Sequence, residues 1–100
     1  AGSISINHSN NTPKEYLLHS PYPNPFNPST TINFNLPFNN KVLLEVYDIN
    51  DSKIKVLLDE NIDSGEHSIV WNAEGYASGV YFIKMIAGDY NHTQKIILIK

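Results

Sequence analysis

One hundred residues with 41% hydrophobic and 11% aromatic content are enough for one globular domain with a single core. Seven basic against ten acidic residues leave a formal charge of -3, and no basic cluster exists to neutralise a row of phosphates, which argues against nucleic acid as a partner. The absence of cysteine excludes disulfides, thiolate metal sites and thiol nucleophiles, and leaves the redox compartment open.

Ala1-Gly2-Ser3 reads as a cloning remnant and the polar stretch after it as a linker, so residues 1–15 are expected to precede one domain over 16–100. The apolar runs fall far short of the roughly 20 residues that cross a bilayer as a helix. No signal-peptide pattern opens the chain, and a soluble fragment of something longer is the expectation. No stretch repeats apolar residues at helical spacing for three turns, so strands must carry the fold.

A short strand is expected around Tyr16 to Leu18. Next comes Pro21-Tyr22-Pro23-Asn24-Pro25-Phe26-Asn27-Pro28, with four prolines in eight positions. Proline removes backbone donors and pushes the preceding residue towards extended geometry. The stretch therefore reads as a stiff lead-in along a sheet edge, where missing N–H groups do no harm, pinned to the core by Tyr22 and Phe26. Residues 31–36 alternate strictly, with Ile32, Phe34 and Leu36 on one face, and Val42, Leu44 and Val46 repeat the period after a turn. These two segments read as a hairpin with one buried face.

Asp48-Ile49-Asn50-Asp51-Ser52 has the short polar side chains of a turn, and Ile54, Val56 and Leu58 supply the inward face of a third strand. A polar turn over residues 60–65 leads to a fourth strand ending near Trp71, which is expected to fill the space between sheets. After a longer loop, residues 80–87, Gly88-Asp89 and residues 90–99 make a hairpin with a two-residue reversal. Tyr81, Ile83 and Met85 should face inward. About seven strands separated by turn signals predict an all-β, immunoglobulin-like antiparallel sandwich, with barrel closure as the alternative.

Chemistry is sparse. His8, His19, His67 and His92 lack the spacing of metal ligands. Asp48, Asn50 and Ser52 fit the start of a calcium loop, but Lys53 stands where Gly is needed and Asp59 where a bidentate Glu is needed, so a hydrated turn is the better reading. Asp59 with Glu60, and Asp63 with Glu66, fall on predicted turns that offer no desolvation for acid–base work. Ser78 lacks the context of a nucleophile elbow, and the dispersed glycines form no phosphate loop. No catalysis, metal or cofactor is expected.

The ordered motifs are more specific. Tyr22-Pro23-Asn24-Pro25-Phe26-Asn27-Pro28, then Thr31-Ile32-Asn33-Phe34-Asn35-Leu36-Pro37, then Val42-Leu43-Leu44-Glu45-Val46-Tyr47-Asp48 follow in sequence. Gly65 to Trp71, Ser78-Gly79-Val80-Tyr81-Phe82 and a last strand from Lys95 to Lys100 complete the series. From Tyr16 to Lys100 the chain closely resembles the type A C-terminal sorting domains of the type IX secretion system of Bacteroidetes and related phyla. It also resembles the immunoglobulin-like domain of the flagellar hook-capping protein. Asp51 stands where family members commonly carry Gly, which puts only the local turn in doubt.

The resemblance implies a non-catalytic signal carried as a folded domain. The outer-membrane translocon recognises it, a sortase-like peptidase removes it, and an N-terminal cargo passes through the periplasm to the surface or the medium. By resemblance the recognition residues are Pro23, Asn24, Pro25, Gly79, Tyr81, Lys95 and Lys100, and the chain ends after Lys100 as such domains end their precursors. The edge of the last hairpin or Lys100 is the expected contact, and that edge is also open to homodimer pairing. Other readings are a structural spacer, or a carbohydrate-binding module using exposed Tyr22, Tyr76, Tyr81 and Tyr90.

Overall fold

A computed structural model describes residues 13–100. Residues 1–12, which hold His8 and most of the expected linker, lie outside the described residues. Seven strands form: β1 (Leu17–Leu18), β2 (Ser29–Leu36), β3 (Asn40–Tyr47), β4 (Lys53–Ile62), β5 (Gly65–Asn72), β6 (Gly79–Ala87) and β7 (Tyr90–Leu98). They make two antiparallel sheets, ordered β1-β2-β5 and β4-β3-β6-β7, and neither closes into a barrel. This is the sandwich that the alternating pattern predicts.

The core is where the inward faces meet. Ile32, Phe34 and Leu36 of β2 confront Val42, Leu44 and Val46 of β3 and Ile83 and Met85 of β6, all fully buried. Each such side chain contributes roughly 1.5–3 kcal/mol by leaving water. Trp71 lies between the sheets as expected, 2% exposed.

Two expectations from pattern alone are corrected. β2 and β3 are not a hairpin: β2 pairs with β1 and β5, while β3 pairs with β4 and β6. Crossing from one sheet to the other at Pro37 sets the two apolar faces against each other, which buries both, whereas side-by-side pairing would leave each needing another cover. The return crossing, from β4 to β5, is tied to the first one by Ser64 N–H donating to Asn39 Oδ1 (2.7 Å).

The second correction concerns β4. Its pairing with β3 shifts register between Leu44 and Glu45 and again between Val46 and Tyr47, leaving Leu57 and Ile54 without opposite residues. Each extra residue inverts the alternation beyond it. Val56 therefore turns outward, 44% exposed, and Leu57 joins Ile54 and Leu58 against the core. β4 also continues through Glu60 to Ile62, so the predicted turn over residues 60–65 contracts to Asp63 and Ser64. Asp59 and Glu60 accordingly stand exposed on an edge strand, Asp59 in an ion pair with Lys41 (3.4 Å).

The turns behave as their chemistry predicts. Asp48 Oδ1 accepts from Asn50 N–H (2.9 Å) and Ser52 N–H (3.0 Å), and Asp51 takes the left-handed conformation at φ 64°. Gly88 turns β6 into β7 at φ 58°, with Ala87 opposite Tyr90; a Cβ there would lie 2.8 Å from Asn40 Nδ2. Glycine is needed at Gly88 for both conformation and space.

Candidate functional site

Three segments far apart in sequence meet at one corner of the sandwich: the lead-in over residues 21–28, the start of β6 with the residues before it, and the end of β7. Every residue expected to carry recognition lies on one of them. What brings them together is backbone pairing, with one buried ring as anchor.

The lead-in touches both sheets. Tyr22 exchanges backbone hydrogen bonds with Thr31 of β2 (3.0 and 2.9 Å), and Thr30 Oγ1 donates to Pro23 O (2.8 Å). Four residues later Phe26 N–H donates to Ile97 O (2.9 Å) and accepts at its own carbonyl from Ile99 N–H (3.0 Å), making a parallel bridge to Leu98 of β7. The prolines between these contacts lack the donors that a regular ladder would need, so the chain passes from one sheet to the other without stranding N–H groups. The Tyr22-Pro23, Asn24-Pro25 and Asn27-Pro28 bonds are cis.

Phe26 does the pinning expected of it: its ring is 2% exposed, with its centroid 5.7 Å from that of Trp71. Tyr22 does not. It is 77% exposed, because the lead-in holds it by its backbone and turns the ring to solvent. Trp71 stands at the centre of an aromatic cluster, with Tyr76 at 5.5 Å and Tyr81 edge-on at 5.6 Å. Such pairs add about 0.5–1.5 kcal/mol beyond the area that they bury. Tyr81 hydroxyl donates to Ala77 O (2.5 Å), which fixes the loop entering β6.

Asn24 is held across the edge of β7. Its Nδ2 donates to Lys95 O (3.0 Å), and Ile97 N–H donates to its Oδ1 (2.9 Å). Gly79 opens β6 opposite Leu98, at φ 152°. Lys95 stands opposite Phe82, and Lys100 N–H donates to Ser78 Oγ (3.0 Å). Pro23, Asn24, Pro25, Lys95 and Lys100 are exposed, whereas Tyr81 is buried. The sequence reading missed Thr30, which is 1% exposed, and Ser78. Thr30 was findable: it is a polar residue at an inward position of β2, two before Ile32, and it needs the Pro23 carbonyl as a buried partner.

The expectation that the last hairpin leaves an open edge is corrected over the end of β7. From Lys95 to Ile99 the outward backbone groups are taken by Asn24 and Phe26. Ile96 and Leu98 point inward, 0% and 1% exposed, so the end of the chain is core and not an appendage.

A further polar cluster surrounds Glu45. Glu45, on the outer face of β3, is 4% exposed and accepts from Tyr47 hydroxyl (2.8 Å) and Lys53 Nζ (3.0 Å). Burial pushes its carboxyl up, but the hydrogen bonds from Lys53 and Tyr47 and the charges of Lys53 and Lys84 outweigh this and hold it below its ordinary value of 4.5. The same contacts push Tyr47 and Lys53 up, first through the hydrogen bond to Glu45. Ser78 is engaged by Lys100, and His67 is bonded to Asp63 O (2.7 Å). Among the described residues no three metal-type side chains converge. Of the four tyrosines considered for sugar, Tyr81 is core, Tyr76 and Tyr90 are half-buried against it, and Tyr22 alone is exposed.

The fold is an all-β sandwich in which the residues expected to carry recognition lie together at one corner. The family model for the secretion system C-terminal sorting domain matches residues 20–100, and the chain belongs to that family. It is a type IX secretion sorting signal: it engages the secretion system, serves an attached cargo, and directs a protein that is exported to the medium or the cell surface. Domains of this family are generally non-catalytic. A search of curated proteins returned no match.

Proposed function

We propose that residues 16–100 act as a folded signal, read by the outer-membrane type IX translocon after passage of the precursor through the periplasm. In this reading residues 1–15 belong to a linker within which a sortase-like peptidase cuts, releasing the N-terminal cargo. The surface read is the corner formed by Pro23, Asn24 and Pro25 with Lys95 and Lys100, and Gly79 and Tyr81 hold it from beneath. The observation that carries this is the junction of Phe26 with Leu98: the lead-in and the last strand belong to one surface only in the folded domain. The homodimer expected through the β7 edge is an addition to this reading, and it requires that edge to be freed first.

The test fuses residues 16–100 to a neutral reporter in a host with a type IX translocon. Deleting the last six residues is a poor control, because it removes Ile96 and Leu98 from the core. The informative variants are Lys95→Ala with Lys100→Ala, whose exposed side chains leave the core untouched. Export of the parent and retention of the folded double variant is the expected result. Equal export of both would overturn the proposed contact surface, and retention of both would overturn the signal itself.

A further inference from the structure

The outer face of the β1-β2-β5 sheet carries side chains that the fold does not ask for. β2 is its middle strand, and adjoining outward positions there hold Asn33 and Asn35. Asn is among the poorest strand formers, and residues that break a local rule in this way gather at functional sites. On one flank Ser68 and Glu66 of β5 stand opposite Asn33 and Asn35. On the other flank is His19, whose backbone N–H donates to Asn33 O (2.9 Å). These side chains line a shallow groove of about 730 Å³, within the usual range of ligand sites.

The polar groups of the groove are oriented. Ser68 hydroxyl donates to Asn33 Oδ1, and His19 Nε2 donates to Asn35 Oδ1 (3.2 Å). Each carboxamide thus uses its acceptor within the sheet, and among the described residues neither Nδ2 group nor the Glu66 carboxylate has a partner. N–H donors beside a carboxylate acceptor are complementary to hydroxyl groups, which both donate and accept. The lining holds no Lys or Arg, so nothing there compensates an anion and Glu66 repels one. One row beyond the groove, Tyr22 and Val70 stand on either side of Thr31, 77% and 60% exposed, and form an apolar rim. Uncharged molecules with hydroxyl edges and apolar C–H faces match all of these features. We infer that the groove binds a neutral oligosaccharide, with Asn33, Asn35 and Glu66 reading its hydroxyls and the Tyr22 ring covering a C–H face.

The inference does not depend on what the translocon reads, and its test uses the 100-residue chain. Maltohexaose, cellohexaose and mannohexaose are each added to about 10 mM, ample for millimolar affinity, while backbone and carboxamide NMR signals are followed. An acidic galacturonate oligomer serves as the control. The expected result is a saturable shift with at least one neutral sugar, centred on the Asn33 and Asn35 side chains and on Ser68, and none with galacturonate. Asn33→Asp keeps the acceptor for Ser68 but removes the free N–H donors, so it should bind about tenfold more weakly. Tyr22→Ala should also weaken binding and leave the fold intact, because the ring is exposed and the residue is held by its backbone. Silence from all three neutral sugars overturns the site. Shifts that lie elsewhere, or binding unchanged in both variants, overturn its location, and galacturonate binding as tightly as a neutral sugar overturns the class of ligand. Should Asn33→Asp fail to fold, Tyr22→Ala decides the location alone.

Discussion

Phe26 and Leu98 face each other as a parallel pair, joined by backbone hydrogen bonds of 2.9 and 3.0 Å to the residues flanking Leu98, although they stand near opposite ends of the domain's sequence. Both side chains are buried, so this junction is covalently remote but energetically central.

Truncating Phe26 is therefore expected to cost far more than loss of a lead-in contact. Phe26→Ala should lower unfolding stability by about 3–5 kcal/mol, a large share of the 5–15 typical of a domain. Phe26→Leu, which keeps most of the volume, should cost less than about 1.5 kcal/mol. Urea unfolding followed by the fluorescence of Trp71, whose ring lies against Phe26, measures both.

The end of the chain divides sharply into core and surface. Leu98→Ala should cost about 2–5 kcal/mol, while Lys100→Ala should stay within about 0.5 kcal/mol of the parent. If Leu98→Ala matched Lys100→Ala in a melting experiment, β7 would not close the core as described.

Asp51 holds a left-handed backbone that an L-residue adopts at a cost, and Asp tolerates it better than most. Asp51→Gly relieves that cost but gives the unfolded chain more freedom. A net gain of about 0.5 kcal/mol, or about 2–4 °C in Tm, is expected. Asp51→Ala should lower Tm instead, because it keeps a Cβ and loses the tolerance of a short polar side chain.

Glu45 makes stability depend on acid. Its folded-state carboxyl lies below 4.5, so the native state binds the proton less readily than the unfolded chain. The stabilisation is present above the unfolded value and is lost as pH falls through the folded one. Unfolding free energies measured from pH 6 downwards should decline less steeply below about pH 4.5 in Glu45→Gln than in the parent. Equal slopes would show that the contacts to Lys53 and Tyr47 do not favour the charged form.

Much of the fold is legible in the order of residues because alternation is a local property. Ile32, Phe34 and Leu36, like Tyr81, Ile83 and Met85, are separated by two positions and must share a face. Gly88-Asp89 likewise dictates its reversal from within. The motif series of the sorting family is equally local, and each motif is readable where it stands.

Pairing partners are another matter. That β2 lies across the core from β3, that the extra residue Leu57 turns Val56 outward, and that Asn24 closes the end of the β7 edge all depend on which edges pair, and β2 meets β5 and Asn24 meets β7 only across long stretches of chain. The entropy of closing such loops changes only slowly with their length, so nearness in sequence is a weak guide to which edge a segment joins. The sequence by itself determined the strands, the inward faces of those without a register shift, and the family. Only the tertiary structure decided which edges are shut, because that depends on hydrogen-bonding groups that every residue carries alike.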